Sequence, residues 1–354
     1  MPLTEVFAGK RVLVTGHTGF KGSWLALWLK ELGADVSGIA LAPEYEGSHF
    51  ELLGLDREIR HTIGDIRDLD ALARAAQDVQ PDIVFHLAAQ ALVRRSYDDP
   101  KTTFDTNVGG SVSVLEVVRH CDSVQALVII TSDKAYLNKE WPWGYRENDE
   151  LGGHDPYSAS KAGAEMACMA YRHAFFERRH ELGVATTRAG NVIGGGDWAD
   201  DRIIPDCMRA LRDGRPIKLR HPIATRPWQH VLDPLNGYLQ LAAALLREPK
   251  RYSGSWNFGP ELEKSLNVRE VAEHAVSLWG SGHVEESPET DAPFEHRLLQ
   301  LSIDKAKLDL GWRPRWSSVA AIEQTVDWYR RVNAGETAAT VSVSQIQAFM
   351  ALGA

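Results

Sequence analysis

The sequence predicts an α/β fold, a doubly wound parallel sheet with a smaller mixed α/β lobe toward the C-terminus. Three observations predict it. Short β-branched-rich runs alternate with segments of helical period through the first 190 residues. A glycine-rich turn joins the first such run to the first helical segment. Beyond residue 190 the alternation breaks up, and Gly, Pro and Trp become frequent.

Residues 11–15 (RVLVT) read as a strand, and 23–33 (SWLALWLKELG) as an amphipathic helix that Gly33 ends. The pattern repeats with a strand at 35–40, a helix at 69–79, a strand at 82–89, a helix at 103–121 and a strand at 126–132. A helix at 156–182 and a strand at 184–188 extend the same series. Such alternation implies right-handed βαβ crossovers and hence a parallel, Rossmann-type sheet. Residues 1–189 are therefore assigned to this domain, with segments around 228–260 returning to it. Residues 190–335 form the smaller lobe, with helices at 205–213, 233–247 and 267–280. The mildly apolar residues 336–354 read as a helix or a packing tail.

With 354 residues and 44% hydrophobic side chains, the chain can bury a core without covalent staples. A net charge of -9 disfavours nucleic acid or an anionic membrane as the main partner. Three cysteines lack metal-knuckle or redox-pair spacing, and no metal site is expected from them or from the 13 histidines. No leader-like or bilayer-length apolar run occurs, so the expected location is the cytoplasm.

The turn Thr15-Gly16-His17-Thr18-Gly19-Phe20-Lys21-Gly22 gives glycines at G-x-x-G-x-x-G between strand and helix. Gly16 permits the turn, Gly19 lets backbone approach a pyrophosphate, and Gly22 lets the helix pack closely. A dinucleotide is the expected ligand. The second strand ends in Ile39-Ala40-Leu41-Ala42-Pro43 without the acidic residue that holds an adenosine ribose, Glu44 coming slightly late. NAD is therefore expected with NADP still open, since His17 or Lys21 is placed to approach a 2′-phosphate. Asp65 is either an acceptor for the adenine amino group or a carboxylate at a helix N-terminus.

Tyr157 and Lys161 stand four apart at the start of a helix and so share a face. An ammonium beside a phenol favours the phenolate, which makes Tyr157 a candidate base toward a hydroxyl. Between this helix and the glycine turn, a strand ends in Thr131-Ser132-Asp133-Lys134.

On these motifs the chain resembles the extended short-chain dehydrogenase/reductases, the NAD-dependent epimerase/dehydratase family. The blocks HTGFKGSWL (17–25), HLAAQALVRRSY (86–97), TSDKAY (131–136), GYREND (144–149), DPYSASK (155–161) and ATRPWQHVLDPL (224–235) are similar to the 4,6-dehydratases that take CDP-glucose. The resemblance implies a hydro-lyase of deoxysugar biosynthesis with an internal redox cycle. Tyr157 takes the C4 hydroxyl proton as hydride passes to NAD⁺, Ser132 bonds the same oxygen, and Lys161 holds the ribose and tunes Tyr157. Water then leaves across C5 and C6, and hydride returns to C6. Asp133 is the implied acid at O6. Lys134 stands where dTDP-sugar relatives carry a Glu base, a role that needs a neutral amine and conflicts with pairing to an ionised Asp133.

The resemblance extends the cofactor site to Thr18, Phe20, Lys21, Ile66, Leu87, Ala88, Ala89, Asn107 and Thr131. For the nucleotide sugar, Gln90, Arg94, Tyr97, Asn191, Arg202, Arg226, Gln229 and Arg297 are the candidates. Trp143 and Tyr145 are expected to wall the site, and Trp141 to pack in the lobe. A homodimer through helices 103–121 and 156–182, or a dimer of dimers, would match relatives. Two other readings stand beside this one. A nucleotide-sugar 4-epimerase, or a dehydratase of another NDP-hexose, would share the cofactor turn and Tyr157/Lys161. A non-catalytic NAD-binding sensor would have no need of them.

Overall fold

The computed structural model describes residues 1–261, 266–287 and 298–353. The strands in chain order are β1 (Arg11–Thr15), β2 (Asp35–Ala40), β3 (Arg60–Ile63), β4 (Ile83–His86), β5 (Ala126–Ile130), β6 (Gly183–Arg188), β7 (Val192–Ile193), β8 (Ile217–Leu219), β9 (Gln229–His230), β10 (Gly254–Asn257) and β11 (Val284–Glu286). Seven of them form one parallel sheet in the order β10-β6-β5-β4-β1-β2-β3. The chain winds outward from β1 through β2 to β3, then restarts on the other side of β1 with β4. That reversal leaves a crevice at the carboxyl ends of β1 and β4, where open α/β sheets take ligands.

Successive strand residues face opposite sides, so each strand feeds two cores. Val12, Val14, Phe85 and Val128 enter one cluster, while Leu13, Val84, Leu127 and Ile129 enter the other. The helix Phe20–Glu31 is not amphipathic as its spacing suggested: every residue from Gly22 to Leu29 is buried. The C-terminal residues supply the reason. They form a helix, Ala338–Ala351, whose Phe349 meets Trp28 edge to face at 5.7 Å and whose Ser342 bonds His49 and Trp328. A helix covered on both sides must be apolar all round.

Two expected strands end early. The one read over 82–89 stops at His86, opposite the end of β1, and the one read over 126–132 stops at Ile130, one residue short of the end of β6. The remaining residues bend across the carboxyl edge. The helix read over 103–121 consists of Pro100–Phe104, a π turn at Asp105–Gly109 and Gly110–Arg119. The helix read over 156–182 ends at Ala174; Arg179 then bonds the carbonyls of Val118, Cys121 and Val124 and turns the chain into β6. After β9, the helix Leu232–Arg247 packs back against β5 and β6, and β10 rejoins the main sheet beside β6.

Candidate active site

One cavity of about 950 Å³ opens along the crevice, large for a small-molecule site. Its floor is the glycine turn. Gly16 has φ +77°, and a Cβ there would lie 2.5 Å from the Ala88 nitrogen. At Gly22 a Cβ would overlap the Gly16 carbonyl at 2.1 Å, so this glycine is required for helix packing. Gly19 differs: nothing but the Gly16 carbonyl, at 3.4 Å, would meet its Cβ. It caps the helix Phe20–Glu31 without any side chain on the helix N–H groups. An open glycine face under free helix N–H groups fits a pyrophosphate.

The expected cofactor residues Thr18, Phe20, Lys21, Asp65, Ile66, Leu87, Ala88, Ala89 and Thr131 line this cavity. Asn107 does not. It is buried in the π turn, where its amide donates to Ser160 and to the Gln90 carbonyl while accepting from the Gln90 nitrogen. His17 also turns away from the cavity, packing under Gly38 with its Nε2 2.7 Å from His61 Nδ1. Burial pushes it down to about 4, so it offers no charge to a 2′-phosphate. At the adenosine end Asp65 holds Arg67 through its side chain and Glu44 holds Arg95, while the N-cap of the next helix is Asp68.

Tyr157 and Lys161 stand on the first turns of the helix Pro156–Ala174, which Asp155 caps by accepting from the Ser158 nitrogen. Both are buried against the end of β5. There the chain makes a single 3₁₀ turn, Asp133–Ala135, with Ser132 as its cap. Ser132 stands beside the Tyr157 hydroxyl and favours its ionised form. Ser132 Oγ in turn donates to Asp133 Oδ1 at 2.9 Å and accepts from the Lys134 nitrogen at 3.2 Å.

The side chains of Asp133 and Lys134 do not pair with each other. Asp133 is turned inward onto Gly190, where a Cβ would sit only 1.8 Å from its Oδ2. Lys134 points along the cavity wall, and its ammonium makes no ion pair or hydrogen bond among the described residues. One turn therefore presents a carboxyl and an amine that do not neutralise each other.

The surrounding charges run against the simplest reading of Tyr157 and Lys161. Burial pushes Tyr157 up to about 12, with Asp133 adding to the effect and Ser132 and Arg202 opposing it. Burial and then Lys21 push Lys161 down to about 7, against the pull of Glu165. Lys21 is itself pushed down to about 8 by burial and by Arg202. The protein groups alone hold Tyr157 as a phenol, and the three cations crowd a site suited to added negative charge.

Of the expected substrate residues, Gln90, Arg94, Tyr97, Asn191, Arg202 and Arg226 line the cavity. Arg202 is fixed by Asp197 at 2.8 Å, which raises its pKa further. Asn191 adopts φ +49°, a left-handed conformation that Asn tolerates. Gln229 is not in the lining: it is buried, and its amide donates to the carbonyls of Gly190 and Phe258. Arg297 lies outside the described residues. Neither Trp143 nor Tyr145 walls the cavity; with Trp141 they form a ring stack beside it, Tyr145 buried and Trp143 exposed.

Sequence reasoning missed Asp197 and Arg220 in the lining and missed Glu165 beneath it. Glu165 was within reach, since it stands four residues after Lys161 on the same helix face. Among the described residues no group of His, Cys, Asp or Glu is arranged to hold a metal ion, and no helix is long and apolar enough to cross a membrane.

A family model described as GDP-mannose 4,6 dehydratase matches residues 13–325. A CDP-glucose 4,6-dehydratase of Salmonella typhimurium is 46% identical over 346 residues, covering 97% of this chain and 96% of that protein. A dTDP-glucose 4,6-dehydratase from Streptomyces venezuelae, solved with NAD bound, is 26% identical with a TM-score of 0.76 over 92% of this chain and 98% of its own. A UDP-glucose 4-epimerase from Thermus thermophilus in complex with NAD is also 26% identical, with a TM-score of 0.77 over 90% and 99% of the two chains.

Proposed function

The chain belongs to the GDP-mannose 4,6 dehydratase family, and from that premise we propose that it converts CDP-glucose to CDP-4-dehydro-6-deoxyglucose by removing water. It is an NAD-dependent hydro-lyase of nucleotide sugars. The observation that carries the reading is the meeting of two groups of side chains at the base of one cavity. Tyr157, Lys161 and Ser132 serve oxidation at C4, and Asp133 with Lys134 serves elimination across C5 and C6.

Gly16, Gly19 and the N-terminus of the helix Phe20–Glu31 would hold NAD, which would supply hydride acceptance at C4 and its return at C6. Tyr157, as the phenolate that the positive nicotinamide of NAD⁺ would favour, takes the proton from the C4 hydroxyl, and Ser132 beside it in the cavity holds that oxygen in line. Lys161 lies one turn along and anchors the cofactor ribose. The C4 ketone acidifies the C5 hydrogen. Lys134, which pairs with no carboxylate among the described residues, acts in its neutral form as the base, taking the C5 proton and returning it to C5 when hydride reaches C6. Asp133, seated on Gly190 beside Ser132, delivers a proton to O6 so that water leaves. Arg202, Arg226 and Asn191 are assigned to the diphosphate side of the substrate.

We assign the protein to a reducing cytoplasm, since its three cysteines are free and buried. A homodimer would cover Met166 and Met169 on the helix Pro156–Ala174 together with Phe104, all at least 40% exposed. Incubation with CDP-, dTDP-, GDP- and UDP-glucose, read by product chromatography, tests the substrate. Faster turnover of a nucleotide other than CDP overturns that assignment, and a C4 epimer formed without loss of water returns the 4-epimerase reading.

A further inference from the structure

Beneath the site lies a buried ion pair that the chemistry above does not use. Glu165 and Arg188 are each 2% exposed and meet at 2.9 Å. The Glu165 carboxylate accepts five hydrogen bonds: from Thr131 Oγ1 at 2.5 Å, Thr186 Oγ1 at 2.7 Å, Ser255 Oγ at 3.3 Å, and Arg188 Nε and Nη2 at 2.9 Å each. Those donors come from the end of β5, from β6 and from β10. Glu165 itself stands on the helix of Tyr157 and Lys161, four residues past the lysine.

Arg188 reaches the other way. Its Nη1 donates to the Tyr136 hydroxyl at 2.7 Å and to the Glu147 carbonyl at 3.1 Å, with the guanidinium 4.6 Å from the Tyr136 ring centre. The Tyr136 hydroxyl in turn donates to Asn257 Oδ1 at 2.8 Å. Thr131 directly precedes Ser132, and Tyr136 directly follows the Asp133–Ala135 turn. The turn carrying the elimination groups is therefore gripped at both ends by one ion pair. The same pair is rooted in the helix carrying the oxidation groups.

We propose that Glu165 and Arg188 are positioning residues that set the distance between the Ser132-Asp133-Lys134 turn and the Tyr157–Lys161 helix, so that one bound sugar meets both groups. Resting on the roles assigned above, the inference adds what keeps them in register. A fully satisfied buried pair suits such a task, because moving either end leaves a charge without partners.

Replacing Glu165 or Arg188 alone would strand the other charge and risks loss of folding. The test therefore cuts the outgoing bonds and leaves the pair in place. Tyr136→Phe removes the grip after the turn. Thr131→Val removes the one before it at nearly constant volume, and Thr131→Ser keeps the hydroxyl. A misplacement of about 1 Å costs roughly 10²-fold in rate. Tyr136→Phe and Thr131→Val are expected to slow product formation from CDP-glucose by about 10- to 100-fold with little change in KM. NADH absorbance should accumulate, because elimination falls behind oxidation, and Thr131→Ser should restore turnover. A crystal structure of Tyr136→Phe should show the 132–135 turn displaced from the helix. Overturning results are an unmoved turn, wild-type turnover in both variants, or equal loss in Thr131→Val and Thr131→Ser. Failure of the functional reading shows separately, as a wild-type enzyme that leaves CDP-glucose unchanged, and the displacement of the turn then decides the positioning role.

Discussion

Gly190 gives the sharpest test of how elimination is arranged. The residue follows β6 and faces Asp133; its carbonyl is held by Gln229 Nε2 at 3.1 Å. In Gly190→Ala the new methyl would sit 1.8 Å from Asp133 Oδ2, where ordinary contact begins at 3.4 Å. The backbone is pinned by Gln229, so the carboxyl must yield by roughly 1.5 Å or swing off Ser132. A displacement of that size costs on the order of 10²-fold at the reacting centre, or about 2.7 kcal/mol of barrier. Overpacking costs about 1–3 kcal/mol of stability, within what a chain of this size tolerates. Tyr157 and Lys161 lie on a different element and keep their geometry. Single-turnover mixing with CDP-glucose should therefore show NADH forming at near wild-type rate and persisting, with 4-dehydro-6-deoxy product appearing about 100-fold late. Product at the wild-type rate without lasting NADH would refute the seating of Asp133 on Gly190 as a requirement for elimination.

Other outcomes follow from the same geometry. Lys134→Met should stop elimination and leave C4 oxidation, read again as standing NADH absorbance; a wild-type yield removes Lys134 from the mechanism. Burial holds His49, His86 and His230 down to about 3 in the folded protein, against 6.5 for the free side chain. Between those values the unfolded chain binds more protons, so stability falls as pH drops through 6.5, by about 2 kcal/mol per histidine at pH 5. Urea midpoints between pH 7 and 5 should decline steeply, and less steeply in His86→Gln. Phe349→Ala strips the C-terminal helix of its contact with Trp28 and Trp316, and should cost about 3–5 kcal/mol, read as a lowered melting temperature.

The buried ring system around that last helix shows how local and distant information divide. Thr337 caps this helix through the Thr340 nitrogen. No motif in residues 338–351 announces a core element, yet Phe349, Ile346 and Val341 are fully buried. Phe349 meets Trp28, from near the other end of the chain, and Trp316, from before the preceding helix. By contrast the glycine turn, Asp155 capping the helix of Tyr157 and Lys161, and the strand end at Thr15 are written in neighbouring residues. Spacing of three and four places side chains on one helix face, and a strand–glycine–helix run has few ways to fold.

Sequence alone therefore determined the doubly wound sheet, the glycine turn between its first strand and helix, and the chemical identities of Ser132, Asp133, Lys134, Tyr157 and Lys161. Tertiary structure decided what each faces. It turned Asp133 onto Gly190 and away from Lys134, withdrew His17, Asn107 and Gln229 from the cavity, and set the Glu165–Arg188 pair beneath the turn. The reason is physical. Which element a residue joins depends on its near neighbours, whereas the direction and charge of its side chain depend on groups brought up from distant segments by the closing of the core.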